Sequence, residues 1–254
     1  MASSFLTALP VYNEGRHVAE VLGRVLESAG DVLVVNDGSK DHTAEEVARF
    51  PDVVQIQHER NRGYGAALCT AFEYALKQGY EGLVTIDCDG QHEPKLIPVL
   101  AGMLSDDVEM ISGSRYLSEL GGNSQPPEER MKINRQITDL LNQRLGFEKR
   151  LGAPLTDAFC GFKAYRVPAL AQLNITDFGY AMPLQVWVQA AALNWRIVEV
   201  AVPRIYLEEE RSFGGSLDNH AIRLRHYLKV FEDELARWPQ LAEPERCPEP
   251  CPGH

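Results

Sequence analysis

The chain has 254 residues, 44% of them hydrophobic and 24% charged, with a formal net charge of −11. That balance supports a sizeable core in one or two domains and excludes wholesale disorder, while the acidic excess argues against broad electrostatic binding to nucleic acid and against a polybasic membrane anchor. No apolar run reaches the roughly 18–20 residues of a bilayer-spanning helix, and the opening Met-Ala-Ser-Ser-Phe has neither a basic segment nor a cleavage site, so no secretory leader is expected.

From residue 5 onward, β-rich runs alternate with helical patterns. Residues 5–9 predict a strand. Val18, Val21, Leu22, Val25, Leu26 and Ala29 recur at helical spacing and predict an amphipathic helix over 14–29. Residues 32–35 are a continuous apolar run, as in a strand buried on both faces. Asp41 is placed to cap a helix over 43–50. A strand over 53–57, a helix over 65–78 and a strand over 82–86 follow. A helix over 96–104, introduced by Pro94, and a strand over 108–112 close the series. Such alternation with short connections implies βαβ units and a parallel sheet, whose ligands collect at the carboxyl ends of the strands. The polar clusters fall there: Asn13-Glu14, Asn36-Asp37-Gly38-Ser39, Asp87-Cys88-Asp89 and Ser114-Arg115.

After residue 116 the pattern changes. Residues 117–130, rich in Gly, Pro, Ser and Glu, predict a mobile loop, and 131–145 a helix. Strands are expected over 162–165 and 197–202, with a helix over 184–193 between them. Leu224, Tyr227, Leu228, Phe231, Leu235 and Trp238 form a stripe on a last helix. Packing of that stripe on the domain is favoured over contact with a bilayer surface, although Arg223, Arg225, His226 and Lys229 stand beside it. The Pro- and Glu-rich residues 239–254 are expected to be disordered, with Cys247, Cys251 and His254 in a frayed terminus. Five scattered cysteines predict free thiols in a reducing compartment.

The sharpest chemical signal is Asp87-Cys88-Asp89. On an extended segment residues i and i+2 share a side, and two carboxylates held together at a strand end repel unless a cation lies between them. Gln91 adds an oxygen on the same side, and hard oxygen ligands suit Mg²⁺ or Mn²⁺. The competing reading is a turn at Asp89-Gly90 with Asp87 capping the next helix. Asp37 is placed to accept from a nucleotide base or to cap a turn, Glu14 to bind ribose hydroxyls and Tyr12 to stack on a base. Asn61-Arg62-Gly63-Tyr64-Gly65-Ala66-Ala67 opens a helix through a glycine-spaced turn suited to an anion. It lacks the third glycine of a dinucleotide fingerprint, and no P-loop occurs. Asp157 is a candidate catalytic carboxylate or a cap, and Arg211, beside Gly214-Gly215-Ser216, is placed to reach a diphosphate.

In order, these blocks resemble the family 2 glycosyltransferases, within them the dolichol-phosphate (polyprenyl-phosphate) mannosyltransferase-like branch. The blocks are P-x-Y-N-E from Pro10, V-N-D-G-S from Val35, N-x-G-x-G-x-A from Asn61 and D-x-D-x-Q from Asp87. G-S-R-Y from Gly113, D-x-x-C-G-F-K-x-Y from Asp157 and R-x-x-G-x-S from Arg211 complete the set. The resemblance implies an α/β fold of GT-A type, a Rossmann-like single domain over 1–238 with a mostly parallel central sheet flanked by helices. A nucleotide-binding half would run to about residue 116 and an acceptor half over 117–238. It implies a nucleotide diphosphate sugar donor, Mg²⁺ or Mn²⁺, inversion at the anomeric carbon, and an acceptor that in this branch is a polyprenyl phosphate. It also implies a cytoplasmic location with at most peripheral contact with the inner membrane face.

By that likeness Pro10, Tyr12, Glu14 and Asp37 hold the nucleoside. Asp87, Asp89 and Gln91 place the metal on the diphosphate, with Cys88 counted among the donor-binding residues. Arg115 and Arg211 neutralise phosphate or acceptor charge, and Asp157 is the candidate base. Asn36, Gln185 and Leu217 depart from the branch pattern, where Asp, Glu and Lys are usual. A degenerate nucleotide-sugar-binding module and a glycosyltransferase acting on a soluble sugar are the alternatives.

Overall fold

Residues 32–35 set the architecture. Leu33 and Val35 pack into one hydrophobic cluster and Val32 and Val34 into another, so this strand lies inside the molecule with a helical layer on each face. The computed structural model describes residues 4–117, 128–205 and 215–241. In chain order its elements are β1 (Phe5–Val11), α1 (Val18–Leu26), β2 (Asp31–Asn36), α2 (Thr43–Val47), β3 (Val54–Gln57), α3 (Tyr64–Gln78), β4 (Gly82–Thr85), α4 (Ile97–Met103), β5 (Met110–Ser114), α5 (Glu128–Leu145), α6 (Phe147–Leu151), β6 (Lys163–Arg166), α7 (Val167–Leu170), α8 (Met182–Ala192), β7 (Ile197–Ala201) and α9 (His220–Ala236). Helices α1, α2 and α4 cover one face of the sheet, and α3 with the helices from α5 onward covers the other.

The seven strands are ordered β3-β2-β1-β4-β6-β5-β7. From β1 the chain steps outward to β2 and β3, then returns to the other side of β1 to lay down β4, all in parallel. This reversal between β1 and β4 is a topological switch point, where a crevice opens at the carboxyl ends of the strands. β6 inserts antiparallel between β4 and β5, and β7 pairs in parallel with β5. The sheet is therefore mostly parallel, with one reversed strand.

Most expected elements form, with boundary shifts that have local causes. The helix expected over 14–29 begins only at Val18, because Asn13 takes a left-handed φ of 55° and residues 14–17 turn on the Glu14 carbonyl. The helix expected from 131 begins three residues earlier, at Glu128, where two glutamates suit the positive end of the dipole. Most of the expected 117–130 loop lies outside the described residues. α6 and α7 were not expected; they span five and four residues, too few for a periodicity to show. On α9, Tyr227, Phe231 and Leu235 are buried, so the stripe packs on the domain, while Ile222 and Leu228 on its outer side are exposed. Leu241, in a short 3₁₀ turn after α9, still packs on the core. Residues 242–254, with Cys247, Cys251 and His254, lie outside the described residues. Cys69, Cys88 and Cys160 are free thiols. No described helix is long and apolar enough to cross a membrane.

Candidate active site

Three strand tips meet at the switch point, and the sequence laces the first two together. At the end of β1, Asn13 N–H donates to Ser39 Oγ (2.9 Å) and Asn13 Oδ1 accepts from Lys40 N–H (2.8 Å). Glu14 N–H donates to Thr43 Oγ1 (2.9 Å) and Gly15 N–H to Asp41 Oδ2 (3.0 Å). Asp41 thus clamps the β1 turn and also makes the expected capping bond, its Oδ1 accepting from Thr43 N–H (3.0 Å), while His42 at the cap position makes none. Asn36 accepts from Ser39 N–H (3.0 Å), a turn-closing bond its amide oxygen makes without a second charge beside Asp37. Pro10 and Glu14 line this tip half-buried, and Tyr12 is 40% exposed with its ring free to meet a flat ligand.

Asp37 is placed differently from an open base-binding carboxylate. It is 2% exposed. Its Oδ1 accepts from Arg62 N–H (2.9 Å) and lies 2.6 Å from His58 Nδ1, and its Oδ2 accepts from Gly63 N–H (2.8 Å). Gly38, at φ 71°, lets the backbone of Arg60 and Asn61 press against it; a Cβ there would come within 2.3 Å of Arg60 C. Asp37 therefore pins the 60–63 turn to the tip of β2. His58 joins it from behind, with Nε2 2.9 Å from Thr70 Oγ1 on α3.

The same geometry gives the glycine turn a structural use. The amides of Arg62 and Gly63 are taken by Asp37, and Ala66 N–H donates to Phe178 O (3.2 Å). The glycines serve protein packing: a Cβ on Gly63 would lie 2.3 Å from Phe178 O, and one on Gly65 2.7 Å from Met182 Cβ. Tyr64, between them, stacks on Tyr180 with centroids 5.7 Å apart and donates its hydroxyl to Asp87 Oδ1 (3.0 Å).

At the β4 tip, Asp87 and Asp89 are both half-buried, and Cys88 between them is in the core. Cys88 is buried between the two half-buried carboxylates, although β4 itself ends at Thr85 and residues 88–90 bend. Asp89 Oδ1 accepts from Gln91 N–H (3.0 Å), which closes the turn expected at Asp89-Gly90. Asp87 Oδ2 lies 3.5 Å from His92 Nε2 and against Gly161, where a Cβ would come within 2.3 Å of it. His92 is buried, and its Nδ1 has no hydrogen-bond partner. The Gln91 side-chain amide makes no hydrogen bond among the described residues.

Asp157, the candidate base, is 0% exposed. Arg115 grips it with Nε (2.7 Å) and Nη2 (3.0 Å), and Asn134 Nδ2 donates to Oδ1 (2.8 Å). Burial pushes its carboxyl upward, but the charge and hydrogen bonds of Arg115, with Asn134, outweigh this and hold it below its ordinary value. Both oxygens of Asp157 are thus engaged within the protein, which makes it an anchor for Arg115 and α5. Glu199 holds the preceding segment by accepting from Thr156 N–H (2.9 Å) and Asp157 N–H (3.2 Å). Lys163 is buried beneath, 4.8 Å over the Trp187 ring, and burial depresses its amine. Burial followed by the Asp157 charge pushes the Cys160 thiol up to about 12, which leaves it inert. Arg211 lies outside the described residues.

Gln185 is buried and faces no open surface. Its Oε1 accepts from Thr176 N–H (2.9 Å) and Asp177 N–H (2.7 Å), and its Nε2 donates to Glu234 Oε2 (2.6 Å). Gln189 Nε2 donates to the other oxygen of Glu234 (2.9 Å). A glutamate at 185 would set two carboxylates against each other; the glutamine departs from the branch pattern because its partner is itself acidic. Leu217 offers its carbonyl to Arg223 Nη1 (2.7 Å).

The model of the family described as glycosyl transferase family 2 matches residues 7–173. The chain belongs to glycosyl transferase family 2. It is 30% identical over 248 residues to an undecaprenyl-phosphate mannosyltransferase of Micrococcus luteus, covering 93% of this chain and 96% of that one. It is also 30% identical over 207 residues to a polyprenol monophosphomannose synthase of Mycolicibacterium smegmatis, covering 78% and 76%. Among solved structures it is similar to glucosyl-3-phosphoglycerate synthase of Mycobacterium tuberculosis in complex with Mn²⁺, UDP and glucosyl-3-phosphoglycerate. There the TM-score is 0.71 at 16% identity, covering 91% of this chain and 80% of that one. The fold is thus of GT-A type, and the activity of the family is glycosyl transfer.

Proposed function

We propose that this glycosyltransferase moves a hexosyl group from a nucleotide diphosphate sugar to a polyprenyl phosphate with inversion at the anomeric carbon. The observation that carries the reading is the pair Asp87 and Asp89 at the β4 tip, beside Gln91 and across the switch point from exposed Tyr12. Two carboxylates and an uncommitted amide oxygen form a hard oxygen set that fits Mg²⁺ or Mn²⁺. Such a cation would complete its shell from water and phosphate oxygens. When bound, the ion supplies positive charge to the departing diphosphate.

Tyr12, Pro10 and Glu14 then receive the nucleoside, and Asp37 acts through the 60–63 turn it fixes. An oxygen of the acceptor phosphate attacks the anomeric carbon while the bond from that carbon to the β-phosphate oxygen breaks, releasing the nucleoside diphosphate. The enclosure of Asp157 favours this acceptor class, because a phosphate arrives ionised and needs no general base. Both compared relatives are named for polyprenyl-phosphate chemistry. The outer side of α9, with Ile222 and Leu228 beside exposed Arg225 and Lys229, is the surface we assign to peripheral contact with the bilayer.

A thermal-shift panel of nucleoside diphosphates and their hexose conjugates, with and without Mn²⁺, tests the donor half. One base should raise the melting temperature in a Mn²⁺-dependent manner, and Asp89→Ala should abolish both that shift and turnover. A shift that survives Asp89→Ala removes the metal assignment. Transfer to short-chain polyprenyl phosphate, followed by mass spectrometry, tests the acceptor; a product formed only on sugar hydroxyls would replace it.

A further inference from the structure

We infer that Tyr64 is a positioning residue for the metal-side carboxylate Asp87, and that its stack on Tyr180 ties that carboxylate to the acceptor half of the molecule. The inference rests on the reading of Asp87 and Asp89 as the cation site. Tyr64 is the first residue of α3, inside the glycine turn, and its hydroxyl reaches Asp87 Oδ1 at 3.0 Å. The other oxygen of Asp87 is bounded by Gly161 and by His92, with Nε2 3.5 Å away. A carboxylate at a strand tip has a soft second torsion. Here one hydroxyl and one glycine wall select its rotamer. A metal ligand held in this way owes part of its affinity to the group that orients it.

Tyr64 is in turn held from outside the nucleotide-binding half. Its ring lies nearly parallel to that of Tyr180, at 15°. Tyr180 follows a segment fixed at both ends: Phe178 O accepts from Ala66 N–H, and Gln185 latches the amides of Thr176 and Asp177 while donating to Glu234 of α9. The absence of Cβ atoms at Gly63 and Gly65 is what permits this segment to close on the turn. A continuous set of contacts therefore runs from α9 through 176–180 and Tyr64 to Asp87.

The test is Mn²⁺ titration of the full chain, followed by electron paramagnetic resonance, alone and with UDP or GDP present. The wild-type, Asp89→Ala, Tyr64→Phe and Tyr180→Leu proteins are compared. Tyr64→Phe keeps the ring and the stack and loses only the hydroxyl. It should raise the apparent Kd for Mn²⁺ about tenfold, within the range seen for groups that orient metal ligands. Metal-free nucleotide binding should not change. In turnover assays the loss should appear as a raised KM for Mn²⁺, with kcat at saturating metal within about twofold of wild type, a split that a general loss of structure would not produce. Tyr180→Leu should weaken Mn²⁺ binding less. A Tyr64→Phe titration that overlays wild type or tightens overturns the inference while leaving the cation site standing. If Mn²⁺ binding by the wild-type protein is indifferent to Asp89→Ala, the cation site falls and the inference falls with it.

Discussion

The two halves of the crevice are built by opposite means. On the side proposed for the donor, backbone amides and short polar side chains lace the tips of β1 and β2, and the carboxylates of the β4 tip stay half-exposed. On the side proposed for the acceptor, ionised and amide side chains are withdrawn from water into closed networks: Arg115 with Asp157 and Asn134, and Gln185 and Gln189 with Glu234, which is 1% exposed. The contrast separates tasks. Groups at the β4 tip stay partly in contact with solvent, whereas the buried charged and amide groups are spent on one another.

The largest expected effect comes from breaking the buried ion pair. Arg115→Ala leaves Asp157 charged, enclosed and without its partner, and should destabilise the protein by about 3–5 kcal/mol in urea denaturation. The pH dependence should change with it. In the native protein the folded carboxyl lies below its unfolded value of roughly 3.9. Its stabilising contribution is therefore present above that pH and fades as pH falls through the lower folded value. Without Arg115, desolvation raises the folded value above the unfolded one, and stability should instead fall as pH rises through the acid range.

Next is Gln185→Glu, which brings a second carboxylate within reach of Glu234 and should destabilise by about 2–4 kcal/mol. The double variant Gln185→Glu with Glu234→Gln restores a donor–acceptor pair and should recover part of that loss in a double-mutant cycle; simple additivity would show that the two do not interact. On the donor side, Gly161→Ala drives a methyl group against Asp87 Oδ2. It should weaken Mn²⁺ binding about 10–100-fold while moving stability far less than Arg115→Ala does. The smallest effect is expected from Lys163→Met. Burial depresses the folded amine, so its charge opposes folding below that value, and stability should rise as pH climbs toward the unfolded value of roughly 10.4. The methionine variant should lose that rise and stay within about 1 kcal/mol of wild type at neutral pH, measured as the difference between the two urea curves.

The same contrast explains what could be read in the sequence. Asp87-Cys88-Asp89 announces itself because two carboxylates one residue apart follow an apolar strand, and both are half-buried while Cys88 lies in the core. The partners of Asp157 and Gln185 stand 42 and 49 residues away, and a carboxylate that anchors looks the same in a sequence as one that catalyses. A signal was nonetheless present on α5. Asn134 and Thr138, four residues apart on its buried side between Ile133, Ile137 and Leu141, mark a polar stripe that must find buried partners. It finds Asp157 and Ala158 N–H. Tyr64 stands between the two glycines of the turn, one residue before the expected start of α3, and its bond to Asp87 spans 23 residues, beyond the reach of any local pattern.

The reversed strand β6 bears on how such a protein can be re-engineered. It is drawn from the later half of the chain yet supplies the hydrogen-bonding neighbour of both β4 and β5. A fragment severed near residue 116 would keep the motifs from Pro10 to Arg115 yet lose β6 and β7, baring one edge of β4, beside Asp87 and Asp89, and both edges of β5. Swapping halves between homologues by fusion at that point, to marry one nucleotide preference to another acceptor, should therefore yield aggregation-prone hybrids unless β6 travels with the donor portion.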